Sequence, residues 1–238
     1  MKTTPSTSPI ETLRPRVYDL TTFGIKTLLG RNAISATGLE KIPKSPFILA
    51  PTHRGFHDIG VLGVLFSSEK IGRIHFMAKA EFFDNPLLAR YLGWCGTFPI
   101  DRKQPTQDQL NNVFNVLGND GITCIFPEGT IKQGPEVDEI KKSFVMLAGV
   151  ANVPIVTAGV AGTDETGRSF LRRGNFHVKI GDVFEAPNLG VDLDQEPSLL
   201  RLTVKHKDYV TETAEKVRQS MQDALADANQ ALNLAQQA

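Results

Sequence analysis

The chain has 238 residues, and its 26 lysines and arginines are balanced by 26 aspartates and glutamates. Zero formal net charge excludes the basic footprint of a bulk nucleic-acid binder, and no run approaches the roughly 18 uninterrupted apolar residues of a spanning helix. With 41% apolar and 22% charged residues, the composition is that of a globular protein long enough to bury a sizeable core.

In chain order, Met1 to Pro9 is a polar tail with no apolar centre, so no secretory leader is expected. Residues 10–30 follow as an amphipathic helix: Ile10, Leu13, Val17, Leu20, Phe23, Ile25, Leu28 and Leu29 recur at helical spacing, with Arg14, Arg16 and Lys26 between them. Such a helix either packs on the domain or lies on anionic lipid, and the two readings are compatible. Strands are predicted at Ile34–Gly38 and Phe47–Pro51, with a turn at Lys41–Lys44 between them. A helix from His57 to Ser67, a strand over Ile74–Ala78, a short helix over Pro86–Tyr91 and a strand over Gly96–Ile100 come next. Thr106 caps a helix that ends at Leu117 with Gly118 as stop. Then come a strand at Ile122–Phe126, a helix over Ile140–Val150, and strands at Pro154–Val160 and Phe176–Phe184. From Ser198 to Gln236 the pattern is one long helix, its Ala/Asn/Gln-rich end from Ala226 expected to fray. Short apolar strands alternating with helices predict an α/β fold, with a mixed, partly parallel central sheet flanked by helices. The expected division is a tail and membrane-associating helix over 1–32, and an α/β domain with a C-terminal helix over 33–238. The two cysteines, Cys95 and Cys124, sit in apolar runs and read as buried free thiols of a reducing compartment.

Chemistry concentrates in His53-Arg54-Gly55-Phe56-His57-Asp58, directly after a predicted strand. A neutral imidazole can take a proton from a hydroxyl, and a nearby carboxylate can hold it in the right tautomer. On a straight helix, positions five apart point about 140° from each other. His53 and Asp58 therefore meet only if the chain turns between them, and Gly55 eases such a turn. Asp58 then opens an apolar helix, where a carboxylate suits the N-terminus. His53 and His57 at i and i+4 raise a zinc-site reading, a metallohydrolase with Asp58; the lack of an HExxH pattern and the helix-disfavouring Gly55 weigh against it.

Downstream lie Gly96-Thr97-Phe98-Pro99-Ile100-Asp101-Arg102, Phe126-Pro127-Glu128-Gly129-Thr130 and Val153-Pro154-Ile155-Val156. These four blocks in this order, over roughly residues 33 to 185, resemble the glycerolipid acyltransferase superfamily, the PlsC-like or lysophosphatidic acid acyltransferase family. The resemblance implies an O-acyltransferase of the HxxxxD type. His53 would be the general base and Asp58 its orienting partner. Arg102 would bind a phosphate bidentately, and Glu128, Gly129 and Thr130 would form an acceptor-binding turn in which the glutamate faces a polyol or fixes Arg102. It also implies acyl-CoA or acyl-carrier protein as co-substrate, a lysophospholipid acceptor, and a peripheral place on the cytoplasmic, inner face of the membrane. No metal or organic cofactor is expected.

Departures bear on the acceptor. Thr52 and Gly55 stand where the family commonly has Asn and Ser, and Ile131 stands where an arginine usually follows FPEGT, leaving Lys132 or Lys141 to compensate. The fourth block continues as Thr157-Ala158-Gly159-Val160 without a second proline. The basic group Arg168, Arg172, Arg173 and Lys179 is either a solvated loop or an attraction to anionic headgroups. The leading expectation is transfer to 1-acylglycerol 3-phosphate, giving phosphatidic acid. Another lysolipid, an ornithine-lipid precursor or a glycolipid is the alternative acceptor. A non-catalytic lipid-binding homologue is the alternative of another class, disfavoured by the joint presence of His53, Asp58, Arg102 and Glu128.

Overall fold

The computed structural model describes residues 14–29, 33–101, 106–163, 175–187, 189 and 205–237. In chain order these form α1 (Pro15–Leu29), β1 (Ile34–Thr37), β2 (Phe47–Pro51), α2 (Asp58–Ser68), β3 (Ile74–Lys79), α3 (Pro86–Trp94), β4 (Phe98–Ile100), α4 (Gln107–Gly118), β5 (Ile122–Cys124), α5 (Ser143–Ala151), β6 (Ile155–Ala161), β7 (Phe176–Phe184) and a final helix, here α6 (Lys207–Gln237). β2 and β7 run over the residues their apolar pattern predicts. Thr106 caps α4 through a complete capping box with Gln109, which satisfies two backbone donors at that end.

The strands form one seven-stranded sheet in the order β1-β7-β6-β2-β5-β3-β4. β6, β2, β5, β3 and β4 are mutually parallel, whereas β7 is antiparallel to β6 and parallel to β1. The sheet is thus mixed, as the alternating pattern implies. Its two faces are read from β2, every residue of which is buried. Phe47 and Leu49 join Val61, Leu62 and Phe66 of α2 and Leu29 of α1 on one side. Ile48 and Ala50 join Val113 of α4, Phe144 of α5 and Val217 and Met221 of α6 on the other. This double coverage is why β2 reads as a continuous apolar run.

α1 belongs to the core by one face. Tyr18 is buried, and its hydroxyl accepts a hydrogen bond from the Ile74 backbone N–H at 3.1 Å. Burial pushes that phenol up to about 12.

α6 lies unusually close to the sheet. A Cβ added to Gly159 would collide with the backbone of Ala224 and Leu225. Beside it, Ser220 Oγ lies 2.8 Å from Thr157 Oγ1 and accepts the Asp182 N–H at 3.0 Å, while Thr157 donates to the Asp182 carbonyl at 3.0 Å. These bonds satisfy the backbone where a bulge near Val156 and Ala158 shifts the β6–β7 register. The end expected to fray does not: the helix runs to Gln237, with Ala228 and Leu232 buried against Ala161. Small side chains let the helix descend onto the sheet, and that packing offsets weak intrinsic order. The upstream part of the predicted helix, residues 198–204, lies outside the described residues, as do residues 10–13 and 30 of the first one.

Gly159→Ala should lower stability by about 2–3 kcal/mol through overpacking, read as a drop in the thermal midpoint; an unchanged midpoint would contradict the close approach.

Candidate active site

The site is built where β2 leaves the sheet. Thr52 donates its N–H to the Ala158 carbonyl at 2.9 Å and accepts the Val160 N–H on its hydroxyl at 3.0 Å, so the chain departs while tied to β6. Within the next residues it turns, and Asp58 is what the turn closes on. Asp58 Oδ2 accepts from His53 Nδ1 at 2.7 Å, from the Arg54 N–H at 2.7 Å and from the Gly55 N–H at 3.0 Å. The carboxylate is fully buried and is the first residue of α2, where helix N–H groups favour negative charge. An ionised carboxylate only accepts, so His53 donates to it from Nδ1, and in the neutral ring that leaves Nε2 with the lone pair of a base. The imidazole stacks on Phe126 at 4.0 Å, and its side chain is 12% exposed.

Gly55 serves the turn for a different reason from the one its composition suggests. Its φ is not left-handed; instead an added Cβ would strike the Thr163 carbonyl oxygen beyond the end of β6. Close approach between two strand ends, not backbone handedness, requires glycine here.

β5 delivers the third block to the same edge. Ile125 donates to the Leu49 carbonyl at 2.9 Å, and the chain then turns through Gly129, whose φ of 74° is left-handed. Glu128 faces inward, not toward a polyol: its side chain is 0% exposed, Oε1 accepts the His53 backbone N–H at 3.0 Å, and Oε2 lies 3.3 Å from Arg54 Nη2. Burial pushes its carboxyl up, opposed by the His53 N–H and the Arg54 charge. Glu128 is thus held in a buried ion pair with Arg54. Thr130 is exposed beside this turn. Lys132 donates its backbone N–H to the His53 carbonyl at 2.8 Å, and its ammonium pairs with Asp138 at 2.8 Å. Lys141 crosses over the turn, so that a Cβ on Gly129 would stand 3.0 Å from Lys141 Cε and 3.5 Å from Nζ.

Arg54 is the residue the sequence reading overlooked. It is 2% exposed, and its guanidinium donates to the Lys132 carbonyl and the Glu136 carbonyl, both at 2.9 Å. The available signal was a cation next to the base and a carboxylate in a block on the neighbouring strand. Arg102 lies outside the described residues; β4, which it follows, is parallel to β3 and so ends on the same sheet edge. Arg168, Arg172 and Arg173 also lie outside them, and Lys179 is 3.8 Å from Asp227.

His57 does not join His53. It caps α2, and its ring faces Phe176 of β7 at 6.0 Å, whereas His53 stacks on Phe126 after β5. β5 is next to β2 on one side and β7 lies beyond β6 on the other, so the two rings diverge. Among the described residues, no three His, Cys, Asp or Glu side chains are grouped to hold a metal ion. Cys95 and Cys124 are free thiols; burial pushes Cys124 far from reactivity, while Cys95 is half-buried. What the arrangement can do is accept a proton at His53 Nε2 while Asp58 stabilises the resulting imidazolium.

Comparison with known proteins follows the same lines. The family described as Acyltransferase matches residues 33–161. The 1-acyl-sn-glycerol-3-phosphate acyltransferase of Bacillus subtilis (strain 168) is 29% identical over 168 residues, 70% of this chain and 81% of that protein. The protein of that name from Saccharomyces cerevisiae is 29% identical over 211 residues, 85% of this chain and 63% of that protein. A lyso-ornithine lipid O-acyltransferase of Rhizobium meliloti is 27% identical over 157 residues, 61% of this chain and 51% of that protein. In fold, the chain is similar to the crystal structure of the 1-acyl-sn-glycerophosphate (LPA) acyltransferase PlsC from Thermotoga maritima. The TM-score is 0.57 at 21% identity, covering 84% of this chain and 78% of that one.

Asp58→Asn preserves size but removes the charge that fixes the Nδ1 proton. The expected outcome is an unchanged far-ultraviolet circular dichroism spectrum with kcat reduced by about 10²–10⁴-fold; a kcat within a few-fold of wild type would remove Asp58 from the site.

Proposed function

Since this chain belongs to the acyltransferase family, we propose that it transfers a fatty acyl group from acyl-CoA or acyl-carrier protein to a lysophospholipid hydroxyl, with 1-acylglycerol 3-phosphate as acceptor and phosphatidic acid as product. The observation that carries this reading is the 2.7 Å His53–Asp58 contact at the C-terminal edge of the parallel strands, the edge at which open α/β sheets bind ligands. His53 Nε2 takes the proton as the acceptor oxygen attacks the thioester carbonyl. The tetrahedral intermediate collapses, the carbon–sulfur bond breaks, and the imidazolium returns its proton to the departing thiolate. Asp58 holds the imidazolium throughout. Gly129, Thr130 and Lys132 flank the acceptor, Glu128 shapes their turn from beneath, and Arg102 supplies the bidentate cation. No cofactor enters these steps.

A second acceptor class has its own support. The position after Thr130 is Ile131, which offers no cation to a phosphate, the Lys132 ammonium is paired with Asp138, and one relative carries the name of a lyso-ornithine lipid acyltransferase.

The lipid is reached from the surface of the membrane, by this proposal from the inner face. No helix among the described residues is long and apolar enough to cross it. Instead α1 exposes Leu20 and, at 68%, Phe23, while α3 exposes Leu88, Tyr91 and, at 78%, Leu87. The two helices are joined, Tyr91 donating its hydroxyl proton to Thr21 Oγ1 at 3.2 Å and Arg14 its N–H to the Trp94 carbonyl at 3.0 Å. Arg14, Arg16 and Lys26 add the charge that anionic headgroups attract.

Thiol release from palmitoyl-CoA, measured with lysophosphatidic acid, with lyso-ornithine lipid and with neither, tests the activity beside His53→Ala. Release that depends on lysophosphatidic acid and falls by about 10³-fold in the variant is expected. A preference for the ornithine lipid would select the second acceptor class, and wild-type release by His53→Ala would sink the base assignment. Because Tyr18 and Leu29 hold α1 in the core, the membrane reading is tested by Leu20→Ser with Phe23→Ser rather than by deletion. Sedimentation with vesicles of phosphatidylglycerol and phosphatidylcholine should fall about tenfold; undiminished binding would place the contact elsewhere.

A further inference from the structure

We propose that Arg54 is a positioning residue, a buried clamp that locks the loop of the general base to the Glu128 turn and so sets the distance between proton acceptor and acyl acceptor. The inference rests on the acyl-transfer reading and deepens it.

The geometry forms two closed circuits through one residue. In the first, the His53 N–H is held by Glu128 Oε1 at 3.0 Å, and Glu128 Oε2 is held by Arg54 Nη2 at 3.3 Å. In the second, the His53 carbonyl accepts the Lys132 N–H at 2.8 Å, and the Lys132 carbonyl accepts from Arg54 Nη1 at 2.9 Å. A further bond, Nη2 to the Glu136 carbonyl at 2.9 Å, extends the grip along the segment after FPEGT. Meanwhile the Arg54 backbone N–H is one of the three donors on Asp58 Oδ2. The backbone of the base is thus fixed at both its N–H and its carbonyl by the segment that Arg54 holds, and its ring is fixed by the carboxylate that Arg54 also touches.

Burial makes the point sharper. Arg54 and Glu128 have side chains 1% and 0% exposed. Desolvating both charges consumes most of what their attraction returns, and apolar side chains of similar volume would stabilise a fold at least as well. A planar fork with several fixed donors can hold one carboxylate and two carbonyls at once, which an ammonium cannot. What the pair contributes is geometry. A displacement of about 1 Å in a catalytic arrangement is worth about 10²-fold in rate.

The test compares wild type with Arg54→Gln, Arg54→Lys, Glu128→Gln and the double variant Arg54→Gln/Glu128→Gln. Each is measured for kcat, acceptor KM and thermal midpoint. Arg54→Gln should lower kcat by about 10²-fold with acceptor KM within about threefold, and Arg54→Lys should recover little of it. The double variant should regain about tenfold over Arg54→Gln, because no unpaired carboxylate then remains buried beside His53. If Arg54→Gln does not fold, Arg54→Lys and Glu128→Gln carry the comparison. A lowered midpoint with unchanged kcat would reduce Arg54 to a structural role, and a rise confined to acceptor KM would make Glu128 a direct acceptor contact; either overturns the proposal. Ring signals of His53 in ¹⁵N-histidine-labelled protein give a readout independent of turnover. They should shift or broaden in Arg54→Gln, and unchanged signals would overturn the clamp even if the wild type proved inactive on every acceptor tried, an outcome that would count against the acyl-transfer reading alone.

Discussion

Everything at the catalytic edge depends on a single buried carboxylate oxygen. Asp58 Oδ2 gathers an imidazole N–H and two backbone N–H groups into one point. A charge with no exposure survives there because its donors are strong and because it opens a helix. The same three bonds bend the chain, orient the His53 ring and start α2. The geometry of the His53–Asp58 pair and local folding are therefore one event at this place, and a change that relieves one disturbs the other.

Around that point the sheet supplies convergence. The parallel strands β6, β2, β5, β3 and β4 bring to one edge segments as distant as Thr52, Glu128 and Thr163. α1 has a double character: Tyr18 and Leu29 anchor it in the core, whereas Leu20 and Phe23 remain outside. A helix divided in this way ties any surface on which it rests rigidly to the sheet.

Much of this was legible in the residues, and the limits are instructive. β2 and β7 could be delimited because each reads as a short apolar or alternating run bounded by turn-formers. The His53–Asp58 pairing could be inferred because five residues cannot be spanned on one helix face. Arg54 could not, since burial of a guanidinium depends on a carboxylate 74 positions away and on carbonyls of an irregular loop, neither of which leaves a periodic trace. The direction of Glu128 was hidden for the same reason: it is decided by Arg54. Gly55 was expected only to ease the turn, because its close approach to Thr163 is a tertiary fact. The end of α6 was expected to fray because Ala-rich composition reveals nothing about Ala161 and Gly162, on which Ala228 and Leu232 pack.

The edge strand β1 has one neighbour in the sheet, β7. Ser35 and His177, which meet across that pair at 2.8 Å, stand 142 residues apart. Thr37 holds the other ring nitrogen of the same histidine at 3.1 Å. A strand synthesised early thus pairs with one synthesised late, a non-local contact that carries a large loop-closure entropy. Until it forms, β7 presents an unpaired edge, open to any extended segment nearby. The two hydroxyls that grip one imidazole are what distinguish the proper partner: a slip of a single residue turns both to the other face. His177, held by Ser35 on one ring nitrogen and Thr37 on the other, is in that sense a register mark for the β1–β7 pair.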